Sequence, residues 1–224
     1  MLNFDSSQEL GDGHIRRWQG ESQQDFVVHK SVAFHYSPVI SSAFNNPKYV
    51  EYSTQTFNLP GATSFSFRFL VEYLYTGEFN IAQLQDDFNI SQAQTFAKSE
   101  QEQKDLVDLW VSAQELLMPR LQNLVVEKLQ EIVIAELPIH GSPLRYIYER
   151  TNDEDFDNKL RSLAVRQLFY NHTRNNVEAY RGSVLPYQLM EDFVAFKGDM
   201  LPRLGIRSPN LFDQCMVSEA LGYL

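Results

Sequence analysis

The residues in this chain that could do chemistry are five histidines, one cysteine and several carboxylate runs, and their spacing decides what that chemistry would be. His29 draws attention as a general base, because an unperturbed imidazole titrates near neutrality. His14, His35, His140 and His172 are scattered, and no pair has the i, i+4 spacing or the cysteine companions of a zinc site. Asp153, Asp155 and Asp157 have the alternation that starts a calcium loop. The sixth position of that loop is Asn158 where the turn needs Gly, and the twelfth is Ala164 where the ion needs a bidentate Glu, so the segment reads as a solvated acidic loop. Gly11-Asp12-Gly13 is too short to cradle a phosphate and precedes no strand-to-helix pattern. No Gly-x-Ser-x-Gly elbow is present, and Cys215 has no basic partner nearby in sequence and reads as an ordinary semi-buried thiol. No catalytic centre, metal site or cofactor is expected, and no small-molecule substrate.

Charge and composition narrow the partners. The 224 residues carry a net charge of −10, which disfavours direct nucleic-acid binding and adhesion to an anionic membrane. Hydrophobic residues make up 43% and aromatic residues 13%, with 16 Phe and 11 Tyr, enough for a packed core. A single cysteine excludes an internal disulfide framework and suits a reducing compartment. The first residues lack a basic segment followed by an apolar one, and no window of about 18 apolar residues occurs, so secretion and membrane spanning are not expected. The expected location is cytoplasm, nucleus or both, where the sequons at Asn89 and Asn171 carry little weight.

The elements follow from periodicity. Residues 1–24 are polar and glycine-rich and read as a weakly ordered arm. Asp25 to Lys30 is an apolar run that suits a strand, and Val32, Tyr36, Val39, Ile40 and Phe44 then have helical spacing. Pro38 fits that stretch if Ser37 is an N-cap and a new helix starts at Pro38. Thr54 to Leu59 alternates like a half-buried strand ended by Pro60-Gly61. Ser64 to Tyr75 places Phe65, Phe69, Leu70, Tyr73 and Leu74 on one helical face, with Gly77 supplying a left-handed cap. Residues 80–104 are rich in Gln, Asp and Ser and read as a protruding polar insertion. Leu106 to Leu117 and Leu121 to Ile132 predict a helical hairpin joined at Met118-Pro119. Further helices are expected over Leu144 to Thr151, Lys159 to Tyr170 and Tyr187 to Phe196, with a tail over 198–224. The aromatic residues Phe65, Phe69, Tyr73, Trp110, Phe193 and Phe196 read as core.

Three of these segments together resemble the BTB/POZ family: Phe26-Val27-Val28-His29-Lys30 followed by Ser37-Pro38-Val39-Ile40, then Phe69 to Gly77, then Leu109 to Leu124. The residues after Tyr146 are similar to the helical extension of many fungal members. The resemblance implies an α+β fold, a small mixed sheet flanked by a helical cluster, followed by an all-helical extension. The corresponding domains are an arm over 1–24, a BTB/POZ domain over 25–135 with its insertion at 80–104, a helical extension over 143–197 and a tail. Within the family motif His29 ends a strand and fixes local packing and hydrogen bonds. Members usually open with an apolar strand, and the equivalent stretch here, His14 to Gly20, departs from that pattern.

The resemblance also implies a function: a non-catalytic protein-interaction module that adapts a client to a cullin-3 ubiquitin ligase. The alternative is a self-associating, homodimeric scaffold or a transcription-related protein without a ligase role. Cullin-3 recruiters in the family carry a hydrophobic-x-Glu pattern in the loop after the second helix, and Tyr49-Val50-Glu51 fits it. An exposed aromatic can anchor in a pocket while a carboxylate pairs with a basic group. The chain has no Kelch, MATH or zinc-finger array that would read a client.

Overall fold

Side chains alternate along strand β2, Gln24–His29, so Val28 is buried and Val27 faces outward. Phe26 shares the inner face and stacks on Phe67 with ring centroids 4.5 Å apart. Strand β1, Asp12–Trp18, pairs antiparallel with β2, placing Ile15 opposite Phe26. It also pairs in parallel with β3, Thr56–Pro60, placing Ile15 opposite Phe57. The sheet order is therefore β2-β1-β3, with β1 in the middle. The computed structural model describes residues 12–18, 24–85, 93–135, 137, 139–151, 158–173 and 185–203.

The polar-arm reading of residues 1–24 is corrected by this sheet, since Asp12–Trp18 is its central strand. Backbone hydrogen bonding to two neighbours overrides the poor apolar alternation of His-Ile-Arg-Arg-Trp. Residues 1–11 and 19–23 lie outside the described residues.

Helix α1, Lys30–Tyr36, and helix α2, Pro38–Asn45, meet at Ser37 as the sequence predicts. The Ser37 hydroxyl accepts from the Ile40 N–H at 3.2 Å and donates to the Leu116 carbonyl at 2.8 Å, so one buried cap also ties α2 to a distant turn. After the short helix α3, Val50–Thr54, and strand β3 comes helix α4, Ser64–Thr76. Thr63 caps its start, and Gly77, at φ 79°, donates its N–H to the Tyr73 carbonyl at 2.8 Å. Its inner arc consists of Ser66, Phe67, Phe69, Leu70, Tyr73 and Leu74. Phe65 falls outside that arc and is 52% exposed, so the expectation that it joins the core is corrected. The Arg68 guanidinium lies 5.2 Å from its ring.

The protruding-loop reading of residues 80–104 is also corrected. Phe79 and Ile81 are buried, Ala82–Leu84 forms a 3-10 turn, and residues 93–104 are the first half of helix α5, Ala93–Glu115. Glu102 accepts from the Ala82 and Gln83 N–H groups at 2.7 and 3.1 Å, and the Gln103 amide donates to Gln83 Oε1 at 2.9 Å. Gln83, Ser99 and Gln103 are buried by satisfying one another, a mode of packing that leaves no apolar period to read. Residues 86–92 lie outside the description. Helix α6, Pro119–Ile134, packs back on α5 as the expected hairpin, through a turn in which Leu117 has φ 54°.

The chain divides into two units between Ala135 and Glu136. The second contains helices α7, Gly141–Arg150, α8, Lys159–Thr173, and α9, Tyr187–Arg203. Asn158 Oδ1 caps α8 by accepting from the Leu160 and Arg161 N–H groups at 3.0 and 3.2 Å. The Tyr148 hydroxyl donates to Asp192 at 2.6 Å and the Arg161 guanidinium lies 4.6 Å from the Tyr148 ring, joining the three helices. Phe193 is buried, while Phe196 is only half-buried beside Phe169. Helix α9 extends to Arg203, so residues 198–203, expected in the tail, are helical, and residues 204–224 lie outside the described residues. Asp153, Asp155, Asp157 and Cys215 lie outside the described residues. Among those described, no helix is long and apolar enough to cross a membrane, and no three His, Cys, Asp or Glu side chains are grouped to hold a metal.

Candidate functional site

The chain leaves α2 through a turn in which Asn46 Oδ1 accepts from the Lys48 N–H at 3.0 Å and the Asn46 carbonyl accepts from the Tyr49 N–H at 3.0 Å. Tyr49, in extended conformation, is then the N-cap residue of α3. Val50 and Glu51 form its first turn, so the candidate segment lies on a helix and not in the loop that the sequence suggested. Five residues are too few to give a helical period, and caps hold the helix instead. Glu51 is well placed there, because a carboxylate in the first turn meets the positive end of the helix dipole.

The other end of α3 is fixed by Gln55, which no residue pattern in the sequence marks. It adopts the left-handed conformation at φ 54°, and its N–H donates to the Glu51 carbonyl at 2.8 Å. Its side-chain amide donates to the Tyr52 carbonyl at 2.5 Å, and its Oε1 accepts from Lys30 Nζ of α1. The hydroxyls of Ser53 and Thr54 donate back to the Val50 carbonyl, each at 3.0 Å.

No residue of α3 is buried. Tyr49 is 50% exposed and Val50 62%, Tyr52 is also exposed, and Glu51 is half-buried. The predicted trio is therefore brought together on one short element, with both apolar members facing outward. Tyr52, which the motif did not include, adds a third large side chain to the same surface.

His29 has the role its motif implies. The Tyr75 hydroxyl accepts from the His29 backbone N–H at 3.1 Å and lies 2.7 Å from Nδ1. The pair ties the end of β2 to α4.

The BTB/POZ domain family model matches residues 18–132, slightly more than half of the chain. The chain belongs to the BTB/POZ family. The match starts at the last residue of β1 and ends inside α6, so the BTB/POZ assignment rests on the first unit, and α7 to α9 lie beyond it. The fold agrees with the expected α+β class: a three-stranded mixed sheet and flanking helices, then an all-helical part. A BTB/POZ domain is a protein-interaction module, which makes proteins the partners of this one. No curated protein matches the chain.

Proposed function

We propose that this BTB/POZ protein is a non-catalytic adaptor that meets a cullin-3 scaffold through α3, with Tyr49, Val50 and Glu51 as the contact residues. The observation that carries the proposal is the helix itself: Tyr49, Val50 and Tyr52 point large apolar groups outward from an element that buries none of its residues. Desolvating such anchors drives association, and Glu51 supplies a partner for a basic group on the scaffold. The net charge of −10 favours a basic partner surface. The client would be read by another surface, including α7 to α9. An adaptor of this kind works in the cytoplasm or nucleus.

Purified protein is expected to bind cullin-3, and the Tyr49→Ala, Glu51→Ala double variant is expected to bind about tenfold more weakly, or about 1.4 kcal/mol. Equal affinity of wild type and variant removes α3 from the contact. A second reading, a homodimeric scaffold, is supported by β2, which is an outer strand of the described sheet and carries Val27 at 57% exposure. It requires a dimer by sedimentation at micromolar concentration, and a monomer throughout that range rejects it.

A further inference from the structure

Helices α3 and α4 end in the same backbone conformation on different residues. Gly77 closes α4 at φ 79°, with its N–H on the Tyr73 carbonyl, and a Cβ there would meet nothing within 4 Å, so this end uses the backbone alone. Gln55 closes α3 at φ 54°, with its N–H on the Glu51 carbonyl, in a region of φ that glycine enters without strain and glutamine does not. What the glutamine adds is two side-chain bonds. Its amide donates to the Tyr52 carbonyl at 2.5 Å, and its Oε1 accepts from the Lys30 ammonium, 25 positions away at the start of α1. Lys30 Nζ lies in turn 5.8 Å from the ring centroid of Phe44, a buried residue of α2.

We infer that Gln55 and Lys30 are positioning residues for docking at α3: the Gln55 side chain holds the helix against α1, so that Tyr49, Val50 and Tyr52 meet the partner in one preset arrangement. This inference rests on the reading of α3 as the contact surface. Five residues do not hold a helix by themselves, and α3 buries none of its own, so packing does not set its orientation. Released from Lys30, the helix would sample other orientations, and the partner would have to order it on binding. Apparent affinity then falls in proportion to the fraction of molecules that present the docking arrangement. The strained glutamine has its explanation here. Glycine would close the helix more easily, as it does in α4, but would leave Lys30 and the Tyr52 carbonyl unconnected.

The test measures cullin-3 affinity, denaturant midpoint and amide hydrogen exchange on the full chain and its variants. Gln55→Gly is expected to weaken binding about threefold or more while its denaturant midpoint stays level or rises, a combination that a mere helix cap does not produce. Lys30→Met is expected to weaken binding by a similar factor, and the two together no further than the stronger alone, because they break one connection. Gln55→Glu keeps an acceptor for Lys30 and is expected to bind better than Gln55→Gly, an advantage that disappears in the Lys30→Met background. In the free protein the Tyr52 amide, bonded to the Tyr49 carbonyl at 3.3 Å, is expected to exchange faster in Gln55→Gly, which separates positioning from direct contact with the partner. Unchanged affinity in Gln55→Gly, additive losses in the double variant, or unchanged Tyr52 exchange each overturns the inference alone. Absence of wild-type binding, or equal binding by the Tyr49→Ala, Glu51→Ala variant, overturns the α3 reading and this inference with it.

Discussion

Helices α3 and α4 are separated by a single strand and are both supplied with aromatic residues, yet they use them in opposite directions. Helix α4 runs for 13 residues and turns Phe67, Phe69 and Tyr73 inward. Helix α3 runs for five and buries nothing, so Tyr52 and Val50, with Tyr49 at its N-cap, stay in solvent. The difference lies in length and anchoring. Three turns make an apolar arc wide enough to hold a helix by burial, whereas one turn must be held by its ends. Gln55, Lys30 and the hydroxyls of Ser53 and Thr54 hold α3 at its C-terminal end, which leaves Tyr49, Val50 and Tyr52 exposed.

The comparison can be broken by substitution. Phe67→Ala, at 1% exposure and stacked on Phe26, is expected to cost about 3–5 kcal/mol of stability through the lost burial and the cavity left behind, read from denaturant unfolding. A cost below 1 kcal/mol would place α4 outside the core. Ser37→Ala is expected to cost about 1–3 kcal/mol, because it removes the α2 cap and deprives the Leu116 carbonyl of a buried donor. Tyr49→Ala is expected to stay within about 0.5 kcal/mol of wild type, since Tyr49 is 50% exposed and lies at the end of a helix that buries no residue. A large loss of stability from Tyr49→Ala would mean that α3 belongs to the core after all.

What could be read from residue types was whatever folds by a repeated apolar interval or a cap of distinctive chemistry. Ser37-Pro38, Gly77 and the hairpin at Pro119 are of that kind, and each has the predicted conformation. Phe65 misled because it sits one step outside an arc whose other members are apolar, and spacing alone does not locate the edge. The stretch from Phe79 to Gln103 was hidden because, beside Phe79 and Ile81, its buried members are Gln83, Ser99 and Gln103, which satisfy one another next to the half-buried Glu102 carboxylate. At the candidate site, Tyr49, Val50 and Glu51 could be picked out by their pattern, but the helix that displays them could not. It depends on a left-handed Gln55 and on Lys30, contacts that join positions 25 residues apart.

The position of β1 has a consequence for anyone shortening the chain. In the described sheet β2 and β3 are each hydrogen-bonded to β1, which lies between them, and the register joins His14 to Thr56 across more than forty residues. Removing the first 24 residues as a dispensable polar leader would therefore not trim an edge. It would take out the common neighbour and leave two strands whose facing backbone groups have lost their partners. During synthesis the same geometry makes the first-made strand wait: it can join β2 as soon as the hairpin emerges, but its second edge stays open until β3 has left the ribosome.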